Sequence, residues 1–323
     1  MDKPRRGGRI PFEFRISDLG FSPPFRLAAM FMATALLAGC HGGGAPVADL
    51  WDDYSGDRAF ADVKAMVDMG PRPAASAALE QTRQYIITEV QKAGWTIEKQ
   101  EFDDDTPRGK IHFCNLIARY GGDTTTQEAI VCSHYDTKWF ETIRFVGASD
   151  GGSSTGALIE LARTLARDPG LARKVELVFF DGEEAFVHFT DTDGLYGSRH
   201  YAAALRDSGR YKQFKFAVLW DMMGPKNLII TLPPDSPPAL AKGVLTAADA
   251  LKMRQHFTIL QGSMYDDHVP LNRIAEIPSI DLIDFDYPPW HTADDTLDKL
   301  APESLKVVGA VTLYYLRTQY PKE

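Results

Sequence analysis

The chain has 323 residues, 44% hydrophobic and 24% charged, with a formal net charge of −9. That composition is ordinary for a soluble globular protein, and the acidic balance argues against a nucleic-acid partner. The length allows one large α/β domain or two small ones, and 11% aromatic residues point to a well-filled core.

Residues 1–26 are basic, polar and broken by prolines, and an apolar run "LAAMFMATALLAGC" follows from Leu27 to Cys40. The run is too short to span a bilayer comfortably. A positive flank, a short apolar stretch and small residues before a break read as a secretory signal. Leu37-Ala38-Gly39-Cys40 resembles a bacterial lipobox, in which Cys40 becomes the lipidated first residue; the alternative is a plain signal with an incidental cysteine. The expected organisation is a lipoprotein signal over 1–40, a flexible tether over 41–54 carrying "HGGGAP", and one folded domain over 55–323. The protein is expected to be exported and membrane-anchored through Cys40, on the periplasmic or cell-surface side. Its oligomeric state is not legible.

Within the folded part, "RAFADVKAMV" (58–67) has helical periodicity, "MGPRPAAS" breaks it, and Ser76 caps a second helix running to about Ala93. Three β-rich runs follow, "TIEKQEF", "IHFCNLIARY" and "EAIVCSHYD", separated by turn residues such as Gly121-Gly122-Asp123. The spacing predicts a helix over 154–167, a strand over 175–180 and a helix starting near Gly197. Strands over 214–221 and 227–233, a helix over 237–251, a strand over 278–285 and a last helix over 302–319 complete the chain. Pro302 suits the first turn of that helix. Strands alternating with helices imply a sheet covered on both faces. The expected class is α/β: a single-domain three-layer sandwich with a central mixed, mostly parallel β-sheet. Cys114 and Cys132 lie in successive strand-like runs and either pair, as export permits, or stay as buried thiols.

In such sheets ligands bind beyond the C-terminal ends of the strands. Here those exits share a chemistry. One run ends in His134 and Asp136, and Asp150 precedes a helix. "VELVFFDGEE" ends in Glu183 and Glu184, "FAVLWD" in Asp221, and "SIDLIDFDYPPWH" in Trp290-His291. Two adjacent carboxylates walled by Phe179, Phe180 and Phe186 are costly unless a positive charge sits near them. Carboxylates with neutral histidine form a zinc ligand set, and a metal would supply that charge.

The stretches "HYDTKWF", "FVGASDGGSSTGALIELARTLA", "LVFFDGEEAF", "GLYGSRHYAAAL", "DDHVPL" and "WHTADD" occur in the order seen in glutaminyl-peptide cyclotransferases, within the wider fold family of zinc aminopeptidases. The resemblance covers roughly residues 55–320. It implies that Asp150, Glu184 and His291 bind one zinc ion, that Glu183 is the general acid/base, and that Asp221 and Asp266 belong to a proton-transfer network. It also implies that Trp290 walls the substrate pocket; Phe189, Phe285, Tyr265 and Tyr287 are further pocket candidates. The implied substrate is the N-terminal glutamine of a peptide or protein, which cyclises with loss of ammonia. His134 and Asp136 either serve a second metal or support the ligands from behind.

The sequence departs from the animal enzymes at Phe189, where they carry tryptophan, and at Tyr265, where they carry glutamine. Ser133 precedes His134, so their disulfide there is not reproduced. The competing reading is a two-zinc aminopeptidase of the same fold. In it Asp150 bridges the metals, His134 and Asp221 complete the second site, and Glu183 activates water. A third is a binding lipoprotein that has lost the chemistry, which the intact Glu183 and ligand set disfavour. Around the site, His188 and His268 read as surface or structural residues, and Asp294-Asp295 as stabilising the loop of His291. Arg199 reads as a partner for a site carboxylate, and Trp139 and Phe140 as pocket rim or packing.

Overall fold

The computed structural model describes residues 49–320. The expected signal, lipobox, Cys40 and most of the tether lie outside them. Among the described residues no helix is long and apolar enough to cross a membrane.

Two helices open the fold, α1 (Gly56–Asp68) and α2 (Ala77–Lys92), and in each a serine side chain caps the first turn: Ser55 accepts from Arg58 N and Ser76 from Leu79 N. A long antiparallel hairpin follows, β1 (Trp95–Thr106) and β2 (Gly109–Tyr120). Then come β3 (Ala129–His134), α3 (Gly152–Leu165), the single turn α4 (Pro169–Ala172), β4 (Val175–Phe180), α5 (Tyr196–Ser208) and β5 (Phe216–Asp221). The last part holds β6 (Ile230–Leu232), α6 (Pro238–Ala250), β7 (Phe257–Ile259), α7 (His268–Arg273), β8 (Ser279–Ile283) and α8 (Pro302–Gln319).

The eight strands form one sheet in the order β1-β2-β4-β3-β5-β8-β6-β7. Its centre, β4-β3-β5-β8, is parallel, so the exits of these four strands lie along one edge. The antiparallel pairings are β1 with β2, β2 with β4, and β6 with β8. The sheet is therefore mixed, with its parallel pairs concentrated where the sequence alternates strand and helix.

Alternation along each strand divides the core into two layers. Val131, Leu177, Phe179, Val218, Trp220, Ile280 and Leu282 pack with α1, α2, α3, α6 and α8, while Ile130, Val178, Phe180 and Leu219 pack with α5 and α7. Because both faces are covered, the central strands read as continuous apolar runs. Trp220 is fully buried and donates from Nε1 to Thr312 Oγ1 on α8 at 3.2 Å.

Differences from the sequence expectations have local causes. The short edge strand β7 was not anticipated; it has only three residues, two of them exposed, and no alternation to detect. The strand expected over 227–233 shortens to β6, and α7, a single turn and a half containing Pro270, was also missed. Cys114 and Cys132 are free. The successive runs that carry them are not neighbours, because β4 lies between β2 and β3. The two thiols also belong to opposite layers of the core.

Candidate active site

The Glu183-Glu184 and Asp150 exits are held in place through their backbone amides. After β4 the chain turns at Gly182, whose φ is +71°; a Cβ there would meet the Phe113 ring at 2.5 Å, so glycine is required. Asp136 accepts from Glu183 N at 3.1 Å and Glu184 N at 3.3 Å, so it orients the pair through their backbone. Asp181 is drawn away from the pair; it accepts from Cys114 N and Arg83 Nη2, both at 2.9 Å.

The Asp150 loop is clamped from two sides. Asp295 accepts from Ser149 N at 2.8 Å and Asp150 N at 3.1 Å, and Tyr287 donates its hydroxyl to Asp295 at 2.9 Å. The fully buried Arg72 donates to the carbonyls of Val146 and Gly147 at 2.6 and 3.0 Å. Gly151, at φ +70°, could not carry a Cβ, which would lie 2.5 Å from the Asp136 carbonyl oxygen. His291 and Met222 hold positive φ, +55° and +42°, which is strained for residues other than glycine. Trp290 stacks on the His291 ring at 4.0 Å between centroids and 23° between planes.

These supports bring two candidate metal-binding triads together. His291 Nε2 lies 3.2 Å from Glu184 Oε1 and 3.3 Å from Asp150 Oδ2. His134 Nε2 lies 3.3 Å from both Asp150 Oδ1 and Asp221 Oδ1. Asp150 is thus shared, one oxygen toward each triad, and within each triad the ligand atoms lie within 4.8 Å of one another. The donor set fits zinc: carboxylate oxygens and imidazole nitrogens, nearly all buried, with Asp150 Oδ2 accepting no hydrogen bond. Asp136, placed on backbone amides, belongs to neither triad and supports the site from behind, 3.4 Å from His134 Nδ1.

Asp221 of the second triad is joined by four further buried acids, Glu183, Asp266, Asp267 and Asp281. Burial, then the charge of Asp221 and Asp267, pushes the Asp266 carboxyl well up. Burial does the same for Glu183; His134 opposes it, and Glu184, Asp266 and Asp267 reinforce it. Asp267 is pushed up to about 7, again mainly by burial. Burial disfavours a charged His291, but Glu184 and Asp150 outweigh it and raise its pKa to about 9. His134 likewise rises well above its ordinary value, because Asp136, Asp150 and Asp221 outweigh its burial.

A cavity of about 220 Å³ opens over this chemistry. Glu183, Glu184, Asp150, Asp221, Asp266 and His291 line its polar side, and Phe189, Tyr265, Phe285 and Trp290 line its mouth. Trp290 and Phe285 are 37% and 38% exposed and pack at 5.3 Å, so a ligand entering would cover them. Sequence reasoning missed Met222, Met264 and Ile283, which complete the apolar floor.

Two expectations are corrected. Tyr287 is not a pocket wall: it is buried against Met222, Met264 and Ile283, with its hydroxyl committed to Asp295. Arg199 meets no site carboxylate; it donates to the Leu195 and Asp191 carbonyls and lies 3.7 Å from Asp104. Trp139 sits under Arg108, whereas Phe140 packs edge-on against His291. His188 is exposed, and His268 is buried 3.7 Å from Asp281. Asp281 itself was missed, although an aspartate inside the apolar run "SIDLI" signals it. Lys138, also missed, donates to the Ala185 carbonyl at 2.6 Å and lies 3.5 Å from Glu184 Oε2.

Residues 115–316 match peptidase family M28. A glutaminyl-peptide cyclotransferase of Bos taurus is 31% identical over 278 residues, covering 72% of this chain and 75% of its own. The glutaminyl cyclase of an Acidobacteriales bacterium superposes with a TM-score of 0.76 at 31% identity, covering 85% of this chain and 97% of its own. A leucine aminopeptidase precursor from Bacteroides thetaiotaomicron superposes with a TM-score of 0.74 at 25% identity, covering 84% and 98%.

Proposed function

The chain belongs to peptidase family M28, among its glutaminyl-peptide cyclotransferases, and from that premise we infer that it converts the N-terminal glutamine of peptides and proteins to pyroglutamate with release of ammonia. The observation that carries the reading is the division after β4. Glu184 belongs to a candidate metal-binding triad, while Glu183, one residue earlier, lines the aromatic-mouthed cavity and belongs to neither triad.

Asp150, Glu184 and His291 are the residues that would hold zinc. Zinc bound there supplies a Lewis acid for the γ-carboxamide and for the negative charge that develops on its oxygen. The rest of the work belongs to the chain. Phe189, Tyr265, Phe285 and Trp290 exclude water and hold the glutamine side chain folded back, so that the α-amine meets its own γ-carbon. As the N–C bond of the lactam forms, Glu183 takes a proton from the amine. As the old C–N bond breaks, Glu183 returns a proton to the departing nitrogen, and ammonia leaves with no net proton change. An N-terminal ammonium titrates near 7.7–8.0. The raised pKa of Glu183 brings it toward that value, which suits a two-way shuttle. Asp266, with Glu184 and Asp267, sustains the shift by its charge.

One zinc per chain is part of this proposal. In the metal-free protein Asp136, Asp150 and Asp221 around His134 raise its pKa well above the ordinary value, so a proton on the imidazole can supply the positive charge that a second zinc would bring. The second triad is also what favours a two-zinc aminopeptidase reading.

The test is ammonia release from a glutamine-leading peptide, with and without a chelator, alongside metal analysis. Chelator-sensitive ammonia with about one zinc per chain supports the cyclase. Release of free N-terminal amino acids with two tightly held zinc ions would replace it with the aminopeptidase. The basic flank, the apolar run and Leu37–Cys40 support export and a lipid anchor on Cys40. That would place the enzyme on the periplasmic or cell-surface side, and Cys40→Ala should then release it from membranes.

A further inference from the structure

A second cavity, of about 230 Å³, adjoins the active-site cavity, and Tyr265 lines both. Its apolar lining comes from Val269, Pro270 and Ile274; Ile274 is 37% exposed. Two arginines, Arg199 and Arg273, and one carboxylate, Asp191, complete it. The two cavities share their carrier as well: Asp266, which lines the active-site cavity, directly precedes the Asp267 cap of α7, and α7 supplies Val269, Pro270 and Arg273 to the outer cavity.

One cation of the outer cavity lacks an ion-pair partner. Arg273 is exposed and makes no hydrogen bond or ion pair among the described residues. Arg199 is held by backbone carbonyls, and its Nη2, without a hydrogen bond, lies 3.7 Å from the Asp104 carboxylate. The Asp191 carbonyl, not its carboxylate, takes the Arg199 bond. Arg273 is therefore the one cation lining the cavity with no carboxylate in ion-pair range among the described residues, on a chain of net charge −9.

Resting on the cyclase reading above, we propose that this cavity is a substrate subsite that receives the residues following the N-terminal glutamine and prefers a carboxylate among them. In this arrangement the first residue occupies the active-site cavity and the rest of the peptide leaves over its aromatic rim. Tyr265 is the part of that rim behind which a further cavity lies. The apolar lining receives the peptide's side chains and stem carbons, and Arg273 meets a carboxylate, either an Asp or Glu side chain or the C-terminal group of a short peptide. An exposed pair of this kind is worth a small factor, roughly two- to five-fold, and weakens as salt screens it.

The experiment compares kcat/KM by ammonia release for four peptides. Three are glutaminyl tripeptide amides with alanine at both following positions, with glutamate at the third, and with lysine at the third. The fourth is the all-alanine peptide with a free C-terminal carboxylate. At low ionic strength the wild type should favour the glutamate or the free-carboxylate peptide over the lysine peptide by about two- to five-fold, and high salt should remove the difference. Which of the two gains tells the source of the carboxylate. Arg273→Glu should reverse the order and leave the neutral amide unchanged. Equal rates across all peptides, or a preference untouched by Arg273→Glu, overturns the subsite while leaving the cyclase reading intact. No ammonia from any peptide, the neutral amide included, removes both.

Discussion

At the start of β4, Glu176 is fully buried between arginines; Arg119 Nε lies 2.5 Å away, Arg210 Nη2 2.8 Å, and Tyr201 donates its hydroxyl as well. Beyond the end of the same strand, Glu183 and Glu184 are buried with no arginine in ion-pair range among the described residues. Their cationic neighbours are two histidines and Lys138, 3.5 Å from Glu184. A buried carboxylate whose charge is matched by guanidinium has no capacity left for a metal or a moving proton. A carboxylate left unmatched is costly, and that cost is what a bound cation or a shared proton relieves. One strand thus carries a structural acid at one end and a chemical pair at the other. The difference lies in their neighbours, because the residues themselves are all glutamates.

The strongest way to break the contrast is at the metal triad. Glu184→Gln should lower zinc affinity by more than about 100-fold, the range found for outer partners alone, and turnover should fall with it. Metal analysis after dialysis checks this; retained zinc would place Glu184 outside the site. At the other end, Arg119→Met leaves Glu176 with Arg210 and Tyr201 and should cost about 3 kcal/mol of stability. Denaturant melts should show the loss, with zinc content and KM for a glutamine peptide unchanged.

A smaller effect sharpens the same comparison through pH. In the metal-free protein, Asp181 and Asp267 are raised to about 7 and His291 to about 9. Each therefore binds protons in the folded state at pH values where the unfolded chain has released them. By linkage the metal-free fold is favoured at low pH and loses stability as pH rises, through about 4–7 for the aspartates and 6.5–9 for the histidine. Zinc replaces the proton on His291, so its affinity should rise with pH up to about 9. Melting temperature against pH, with and without zinc, should give a falling curve for the metal-free form and a flatter one for the loaded form.

Much of the site was legible because strand exits in a parallel sheet converge. Reading Asp150, Glu183-Glu184, Asp221 and Trp290-His291 as exits puts them on one edge, and the structure brings them there. What sequence did not reveal is second-partner geometry. Nothing in "HYD" says that Asp136 spends its oxygens on the amides of Glu183 and Glu184, nor in "WHTADD" that Asp295 holds the backbone of Asp150. Tyr287 was placed in the pocket because it is aromatic and close in sequence, yet its hydroxyl binds Asp295 and turns it behind the floor. β7 escaped because three residues cannot display a period. The hairpin and β4 had clear patterns, but that β4 inserts between β2 and β3 is a matter of topology, and it is what keeps Cys114 from Cys132.

The central claim is that the two adjacent glutamates have separate tasks, and Glu183→Gln tests it most directly when zinc content and ammonia release are measured on the same sample. The account predicts about one zinc per chain, as in the wild type, with turnover reduced by about 10²- to 10⁴-fold. Loss of zinc in step with activity, or turnover left near the wild-type rate, would contradict it.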